Sequence, residues 1–241
     1  MKVISFGDTH GSSHWKEILQ KETDADKVIF EGDYFDSKNG EYSANSQISN
    51  FKEIINLKRE EPDKFILLFG NHDHHYLKNI HENYSGYQAE HAHDIGEVIQ
   101  EALSENLLQM CYIHENFFFS HAGVTKTWCE LYGINTNKEN IEQSINDQFK
   151  FKPHSFNFIM GNNFSQTGDD ICQSPIWVRP ISLMKDMVDG YIFVVGHTQP
   201  TKMSQIFIEE GGDSSIILTD TLKTTKEYLS IIDGGIVFSK L

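Results

Sequence analysis

The chain has 241 residues, of which 39% are hydrophobic and 23% are charged, and this is enough for one α/β domain with a full core. Its formal net charge of −15 excludes a general affinity for nucleic acid or anionic lipid, because both require a basic surface. The longest clean apolar run, residues 191–195, is far shorter than the roughly 20 residues of a membrane helix. We therefore expect a single domain over residues 1–241, with no membrane segment and no extended nucleic-acid partner.

The start of the chain and its cysteines predict the compartment. The first motif begins at Asp8, which leaves no room for the apolar region of a signal peptide. Cys111, Cys129 and Cys172 are widely spaced and form no Cys-x-x-Cys pair. Such usage is typical of a reducing compartment and argues against disulfides and zinc ribbons. We expect a cytoplasmic location, and the sequence leaves the oligomeric state open.

Strand and helix patterns alternate over the first seventy residues. Strands are predicted over Val3–Phe6, Val28–Phe30 and Phe65–Phe69, and helices over Ser13–Lys21 and Ser46–Arg59. This alternation predicts a parallel sheet with right-handed crossovers, in which ligand sites gather at the carboxyl ends of the strands.

The rest of the chain is predicted to be a mixture of helices and short strands. Ser85–Gln109 and Thr125–Phe149 show helical patterns, the second broken at Gly133, and we expect residues 85–150 to form a helical cap inserted into the domain. Further strands are predicted over residues 117–119, 191–195, 216–219, 228–232 and 236–238. Asp233-Gly234-Gly235 is the expected turn of a terminal hairpin.

Metal-ligating side chains recur where predicted strands end. Asp8, Asp33 and Asn71 each lie just beyond a strand end, so local reasoning alone puts them on one rim of the sheet. Six segments carry such side chains: Asp8-Thr9-His10-Gly11, Gly32-Asp33-Tyr34-Phe35-Asp36, Gly70-Asn71-His72-Asp73, Ser120-His121-Ala122-Gly123, Trp177-Val178-Arg179 and Gly196-His197-Thr198.

The order and spacing of these six segments resemble the calcineurin-like metallophosphoesterases. The closest resemblance is to the branch of the serine/threonine phosphoprotein phosphatases, the phage lambda-type phosphatase and the symmetrical diadenosine tetraphosphate hydrolases. It extends from Asp8 to His197. It implies a four-layer α/β/β/α sandwich of two mixed sheets, with a site for two metal ions on the rim between the sheets.

The resemblance also implies a set of metal ligands. Asp8 and His10 would bind the first ion, and Asp33 would bridge the two ions. The second ion would be bound by Asn71, His121 and His197. Manganese is the expected metal, although carboxylate, imidazole and amide ligands also accept iron, zinc, nickel or cobalt.

Three further roles follow from the same resemblance. His72 matches the general acid that protonates the leaving group, and Asp36 matches the carboxylate that orients it. Arg179 matches the arginine that grips the phosphate, and Asn71 would also contact the substrate.

The pattern departs from the family in two places. Ser37-Lys38 stands where phosphoprotein phosphatases carry Arg-Gly, and the sequence leaves open whether Lys38 replaces the missing arginine. Gln199 stands where nuclease-type relatives carry a second histidine. We interpret the neighbouring His74 and His75 as exposed residues at the start of a helix.

The expected function is hydrolysis of a phosphomonoester, on a protein or a small molecule, by a hydroxide that bridges two metal ions. The alternative is hydrolysis of a dinucleoside polyphosphate, which would use the same centre. A phosphoesterase fold that only binds partners is disfavoured, because every matched ligand is present together with His72 and Asp36.

Overall fold

A computed structural model describes residues 1–161, 165–208 and 214–241. Within these ranges eleven strands form two mixed β-sheets, flanked by helices. The strands are β1 (Lys2–Phe6), β2 (Lys27–Phe30), β3 (Phe65–Leu68), β4 (Leu108–Gln109), β5 (Cys111–His114), β6 (Phe117–Ser120), β7 (Ile192–Val195), β8 (Ser204–Phe207), β9 (Ser215–Leu218), β10 (Glu227–Ile232) and β11 (Gly235–Lys240). The α-helices are α1 (Trp15–Lys21), α2 (Ala44–Glu60), α3 (Asn71–His74), α4 (Ala92–Ser104), α5 (Lys126–Tyr132), α6 (Ile141–Phe151) and α7 (Pro180–Asp186).

The first sheet has the strand order β11-β10-β1-β2-β3-β4. Strands β1 to β4 are parallel, and β10 and β11 add antiparallel strands at one edge. The predicted parallel arrangement of the first three strands is therefore confirmed. Their carboxyl ends lie at one edge of the sheet, as the crossover helices α1 and α2 require.

The second sheet has the order β5-β6-β7-β9-β8. Strands β6, β7 and β9 are parallel, and the two outer strands are antiparallel to their neighbours. This sheet supplies a second set of parallel strand ends to the same rim.

Two hydrophobic clusters show how the sheets stack. Val3 and Ile29 of the first sheet share a buried cluster with Phe119 and Val194 of the second sheet. The alternate residues of the same strands face the other way, and Ile4, for example, belongs to the cluster that includes helix residues. Because side chains of a strand alternate between its two faces, the sheets pack face to face with helices outside them. The predicted sandwich of two mixed sheets is confirmed.

The interval 85–150 differs from the helical cap predicted there. It contains α4, α5 and α6, but it also supplies β4 to the first sheet and β5 and β6 to the second. The helix predicted over Ser85–Gln109 is shorter, because its last apolar residues form β4. The predicted break at Gly133 is present, with that residue ending α5 at a φ of 66°.

The predicted terminal hairpin joins β10 and β11 with Ile232 paired to Gly235. Asp233 and Gly234 have φ values of 48° and 80°, and two positive φ angles are typical of the tight turn that matches strand twist.

Across the described ranges, no helix is long and apolar enough to cross a membrane. Cys111, Cys129 and Cys172 are free thiols.

Candidate active site

The predicted ligands follow the carboxyl ends of parallel strands in both sheets. Asp8 follows β1 by two residues and His121 directly follows β6. His10, Asp33 and His197 have positive φ values of 43°, 52° and 55°. Such angles are uncommon outside glycine and cost about 1–3 kcal/mol each, so they persist where the surrounding structure enforces them.

The loops after β2 and β3 are in direct contact, and Gly70 makes this contact possible. A Cβ atom on Gly70 would lie 2.1 Å from Asp33 Oδ1 and 2.5 Å from the Asp33 backbone nitrogen. The buried Asp73 carboxylate ties the two loops together by accepting the backbone N–H groups of Gly70, Asp33 and Tyr34 at 3.0, 2.9 and 2.8 Å. The side chain of Asp33 is therefore held in one position between the loops.

Asp8, His10 and Asp33 form a first buried group whose potential ligand atoms all lie within 4.8 Å of one another. His10 Nε2 is 3.7 Å from Asp8 Oδ2 and 3.8 Å from Asp33 Oδ2. His10 Nδ1 lies 2.6 Å from the carbonyl oxygen of Phe35, so Nδ1 carries the proton and the Nε2 lone pair faces the carboxylates. Burial lowers the pKa of His10 to about 3.

Asn71, His121 and His197 form a second group around one amide oxygen. His121 Nε2 and His197 Nδ1 lie 3.0 and 2.9 Å from Asn71 Oδ1. Their other ring nitrogens face the carbonyl oxygens of Glu31 at 2.8 Å and Trp177 at 3.2 Å, and a carbonyl can only accept a hydrogen bond. The inner nitrogens of the neutral rings are therefore acceptors.

Asn71 Oδ1, His121 Nε2 and His197 Nδ1 are thus three acceptors that face one another with no proton between them. Such an arrangement is suited to binding a cation. Burial lowers the pKa of His121 to about 3, and burial with the nearby Arg179 lowers the pKa of His197 well below its ordinary value, so both rings are neutral. Asp33 connects the two groups, because its Oδ1 lies 3.5 Å from His121 Nε2 while its Oδ2 faces His10. Carboxylate, imidazole and amide oxygen atoms suit divalent transition metals.

Asp220 is an additional carboxylate at this place that the sequence reasoning missed. It follows β9 by two residues, is 3% exposed, and lines the same cavity as Asp8. Burial raises the pKa of Asp8 to about 7. Burial and repulsion from Asp8 raise the pKa of Asp33 and of Asp220 well above the ordinary value. A bound cation would offset this accumulation of charge. Since ligand sites gather at the carboxyl ends of parallel strands, the position of Asp220 just after β9 could have identified it.

Asp36 is surrounded by hydrogen-bond donors instead. His72 Nδ1 lies 2.8 Å from Asp36 Oδ2, and His75 Nε2 lies 2.7 Å from the same oxygen. The Tyr76 hydroxyl and the Gln88 amide donate to Oδ1 at 2.5 and 3.2 Å. Burial acts to raise the pKa of Asp36, but the contacts with His72 and His75 outweigh burial and lower it to about 2.

The prediction that His74 and His75 are exposed is wrong. Their exposed fractions are 0% and 2%. His74 packs against the rings of Phe69 and Phe149, and the chain after α3 folds back over His75 through Tyr84. Tyr84 donates its backbone N–H to His75 Nδ1 at 3.3 Å, so the His75 proton is on Nε2. His75 Nε2 lies 2.7 Å from Asp36 Oδ2, but it has no aligned hydrogen-bond partner among the described residues, so this pair is a close polar contact.

Arg179 lies at the start of α7 and is held in place by backbone and side-chain oxygens. Its Nη1 donates to the carbonyl oxygen of His197 at 2.9 Å and to Thr198 Oγ1 at 3.0 Å, and its Nε donates to the carbonyl oxygen of Thr167 at 2.8 Å. Nη2 has no protein partner within the described part of the chain. The guanidinium is therefore oriented with one nitrogen left to contact a ligand.

All predicted ligands except His121, which is fully buried, line a cavity of about 560 Å³. His72, Lys38 and Arg179 also border it, so the predicted acid and two cationic side chains face the same space as the two ligand groups. Aromatic side chains also line it. The cavity therefore provides the elements that a phosphate ester would contact.

The model of the calcineurin-like phosphoesterase family matches residues 1–211 of the chain. A cold-active protein-tyrosine phosphatase of the psychrophile Shewanella sp. has a similar structure, with a TM-score of 0.61 and 16% identity over 98% of this chain and 77% of that chain. A protein serine/threonine phosphatase from Saccharomyces cerevisiae, similar to human phosphatase PP5, gives a TM-score of 0.56 and 13% identity over 99% of this chain and 79% of that chain. No curated protein matches the chain by sequence.

Proposed function

Since the chain belongs to the calcineurin-like phosphoesterase family, we propose that it is a phosphatase that hydrolyses phosphomonoesters with the aid of two divalent metal ions. The observation that carries this proposal is the convergence of unprotonated acceptors in the two groups connected by Asp33. His121 Nε2 and His197 Nδ1 both approach Asn71 Oδ1 within 3.0 Å. Such an arrangement is unfavourable unless a cation is bound.

Asp8 and His10 would hold the first ion, Asp33 would serve both ions, and Asn71, His121 and His197 would hold the second. When bound, divalent ions activate water for attack on phosphorus and neutralise phosphate charge. Manganese is the metal we propose to test first, because oxygen and imidazole ligands accept it readily.

The other residues of the cavity would orient the ester and supply a proton. Asp36 fixes His72 through Nδ1, so Nε2 is the atom that would protonate the leaving oxygen. Arg179 would hold a nonbridging phosphate oxygen through Nη2, and Asn71 would add a substrate contact next to it. The free thiols Cys111 and Cys129, both buried, support the further proposal of a reducing, cytoplasmic location.

The test is turnover of a panel of phosphomonoesters, phosphodiesters, phosphopeptides and dinucleoside polyphosphates by metal-free protein, with and without added manganese. We expect manganese-dependent release of phosphate from monoesters and loss of that activity with chelator. Preferential cleavage of a dinucleoside polyphosphate would replace the monoesterase assignment with the alternative. Full turnover by protein shown to contain no metal would overturn the proposal.

A further inference from the structure

The cavity has one aromatic side, made by Tyr84, Phe158 and Trp177, which we call the aromatic wall. The Tyr84 and Trp177 ring centroids are 4.3 Å apart with an interplanar angle of 69°, and those of Phe158 and Trp177 are 5.1 Å apart at 78°. Tyr84 and Phe158 are only half-buried, so part of each side chain is accessible. Packed rings that line a cavity offer a surface on which an aromatic group of a ligand can pack.

The aromatic wall begins directly beside a predicted metal ligand. The ring centroids of Trp177 and His197 are 5.8 Å apart, at an interplanar angle of 87°. The carbonyl oxygen of Trp177 also accepts the His197 Nε2–H at 3.2 Å. A phosphoryl group bound at the predicted metal ions would therefore place the first atoms of its leaving group within reach of this wall.

The aromatic wall is held in place before any ligand binds. Glu82 Oε2 accepts the hydroxyl of Tyr84 and, at 3.3 Å, the backbone N–H of Phe158. The His75 ring stacks on Tyr84 with centroids 5.4 Å apart and an interplanar angle of 12°. Because these contacts fix the rings in advance, less conformational entropy is lost when a ligand packs against them.

The charges around the cavity restrict the ligand further. Among the described residues that line it, the cationic side chains are Lys38 and Arg179, and the carboxylates are Asp8, Asp33 and Asp220. All three carboxylates belong to the cluster that would face the metal ions, which leaves none to bind a basic leaving group.

We propose that the substrates of this site are phosphate esters whose leaving group carries a planar aromatic ring close to the phosphorus atom. This inference rests on the proposed phosphatase function and specifies its substrate class. Phosphotyrosine is the source that fits best, because the wall starts beside His197. A nucleoside monophosphate carries its ring several bonds farther from phosphorus.

A matched pair of substrates tests the preference: 2-phenylethyl phosphate and 2-cyclohexylethyl phosphate have the same linker and similar size, and their leaving groups have similar basicity. With manganese-loaded protein we expect the KM of the phenyl ester to be at least about fivefold lower than that of the cyclohexyl ester, because packing between aromatic rings stabilises the complex by about this factor. Calorimetric binding of benzylphosphonate and cyclohexylmethylphosphonate measures the same preference without turnover. Equal KM values and equal binding would overturn the aromatic inference and leave the phosphatase proposal intact.

Failure of the phosphatase proposal is distinguishable from failure of the aromatic inference. Absence of turnover for every ester tested would contradict the phosphatase proposal. The two phosphonates would still test the aromatic wall, because their binding needs no hydrolysis. A clear preference for benzylphosphonate supports the wall as the ring-binding surface, and equal binding overturns it.

Variants at Phe158 connect the preference to the wall. Phe158→Leu keeps an apolar side chain but removes the ring, and should reduce the phenyl preference by roughly 2-fold to 10-fold. Phe158→Trp keeps a ring and should retain most of the preference. Tyr112→Leu, which removes a half-buried ring in β5, is the control and should retain it fully. An unchanged preference in folded Phe158→Leu would overturn the role of the wall.

The source of the ring is tested with a phosphotyrosine peptide and adenosine 5′-monophosphate. We expect the lower KM for phosphotyrosine, and a larger increase in that KM in Phe158→Leu. A lower KM for the nucleotide, lost in the same variant, would overturn the tyrosine source and assign the wall to a nucleobase.

Discussion

Two sets of buried carboxyl groups differ in the donors around them: Asp8, Asp33 and Asp220 line the cavity, and Asp36 lies beside His72. Asp8 and Asp33 each accept one backbone N–H, from His197 at 3.0 Å and from His72 at 2.9 Å, and Asp220 lies against Asp8. Their pKa values are raised by burial and mutual repulsion.

Asp36, in contrast, accepts hydrogen bonds from His72, Tyr76 and Gln88 and lies 2.7 Å from His75 Nε2. Its pKa is lowered to about 2 although burial acts in the opposite direction. Burial is thus common to both sets, and the contacts with His72 and His75 distinguish Asp36. Backbone donors alone do not reverse the effect of burial, because Asp73 accepts three backbone N–H groups and its pKa is still raised to about 7. The carboxyl groups of the first set repel one another and are suited to receive cations. The second set is already satisfied and is suited to hold a histidine in one orientation.

The largest expected effect comes from removing the charge of Asp33, the carboxylate that connects the two groups of predicted metal ligands. Asp33→Asn should reduce kcat/KM by about 10,000-fold or more and lower the bound metal below two ions per chain, because both sites lose a carboxylate. Arg179→Ala removes one phosphate contact and should lose far less. Metal content by mass spectrometry and turnover of a phosphate ester measure both effects.

The control for that comparison is Asp94→Asn, which makes the same chemical change at an exposed position of α4 and should retain two ions and full activity. If Asp33→Asn binds two ions and has wild-type activity, this would contradict the interpretation that Asp8, Asp33 and Asp220 bind cations.

The next effect concerns the histidine that Asp36 holds. His72→Asn should leave metal content nearly intact and lower turnover by roughly 100-fold to 10,000-fold, the range for a positioned general acid. A nitrophenyl ester needs little protonation of its leaving group, so it should lose less than phosphoserine. Loss of the metals, or an equal loss on both substrates, would show that His72 is structural.

A further buried carboxyl, Glu31, tests whether the absence of charged donors is what raises a pKa. Among the described residues its carboxyl group accepts hydrogen bonds from the Ser5 and Thr219 hydroxyls only, and burial raises its pKa to about 7 from 4.5. The folded state therefore favours the protonated form, and the stability that this provides is present below about pH 4.5 and is lost as pH rises through 7.

In metal-free protein, Glu31→Gln should gain stability over wild type as pH rises from 5 to 8, by at most about 3 kcal/mol. Urea unfolding at a series of pH values measures the difference. Glu90→Gln, at an exposed position, is the control. A difference between Glu31→Gln and wild type that does not change with pH would show that another group is responsible.

The smallest effect comes from the polar contact of His75 with Asp36. His75→Phe keeps the ring that stacks on Tyr84 but removes the nitrogen that lies 2.7 Å from Asp36 Oδ2, and should lower turnover of phosphoserine by about tenfold, with less loss on a nitrophenyl ester. His75→Gln restores a polar group there and should recover most of the activity. Equal losses in the two variants would mean that His75 acts only through packing.

The first set was largely predictable, whereas of the contacts around Asp36 only the pairing with His72 was predicted. Asp8, Asp33 and Asn71 follow strands, and strand ends can be recognised from short apolar runs, so the strand pattern alone predicted that they share a rim. The same rule would have found Asp220. The donors around Asp36 depend on how the chain after α3 folds back, and no periodic pattern predicts the path of such a segment.

The secondary structure was likewise predicted well in one part of the chain and less well in another. Helices α1 and α2 begin within two residues of their predicted starts, because amphipathic periodicity is a strong signal. The interval 85–150 was predicted less well, since β4 has only two residues and joins a sheet whose other strands are distant in sequence. Pairing partners of this kind are tertiary information, which local patterns do not contain.

The position of β1 in the first sheet has a consequence for how the protein is made. Lys2 pairs with Ile232 and Ser5 with Leu229, so the strand that leads into Asp8 lacks one neighbour until residues 227–232 have been synthesised. Contacts of such long sequence separation are slow to form, and an unpaired strand edge can pair with other chains in the meantime. A chain interrupted on the ribosome after Asp220 would already contain every described residue that lines the cavity, yet its first strand would still have an open edge. The final hairpin thus covers an edge at which newly made chains could pair with one another.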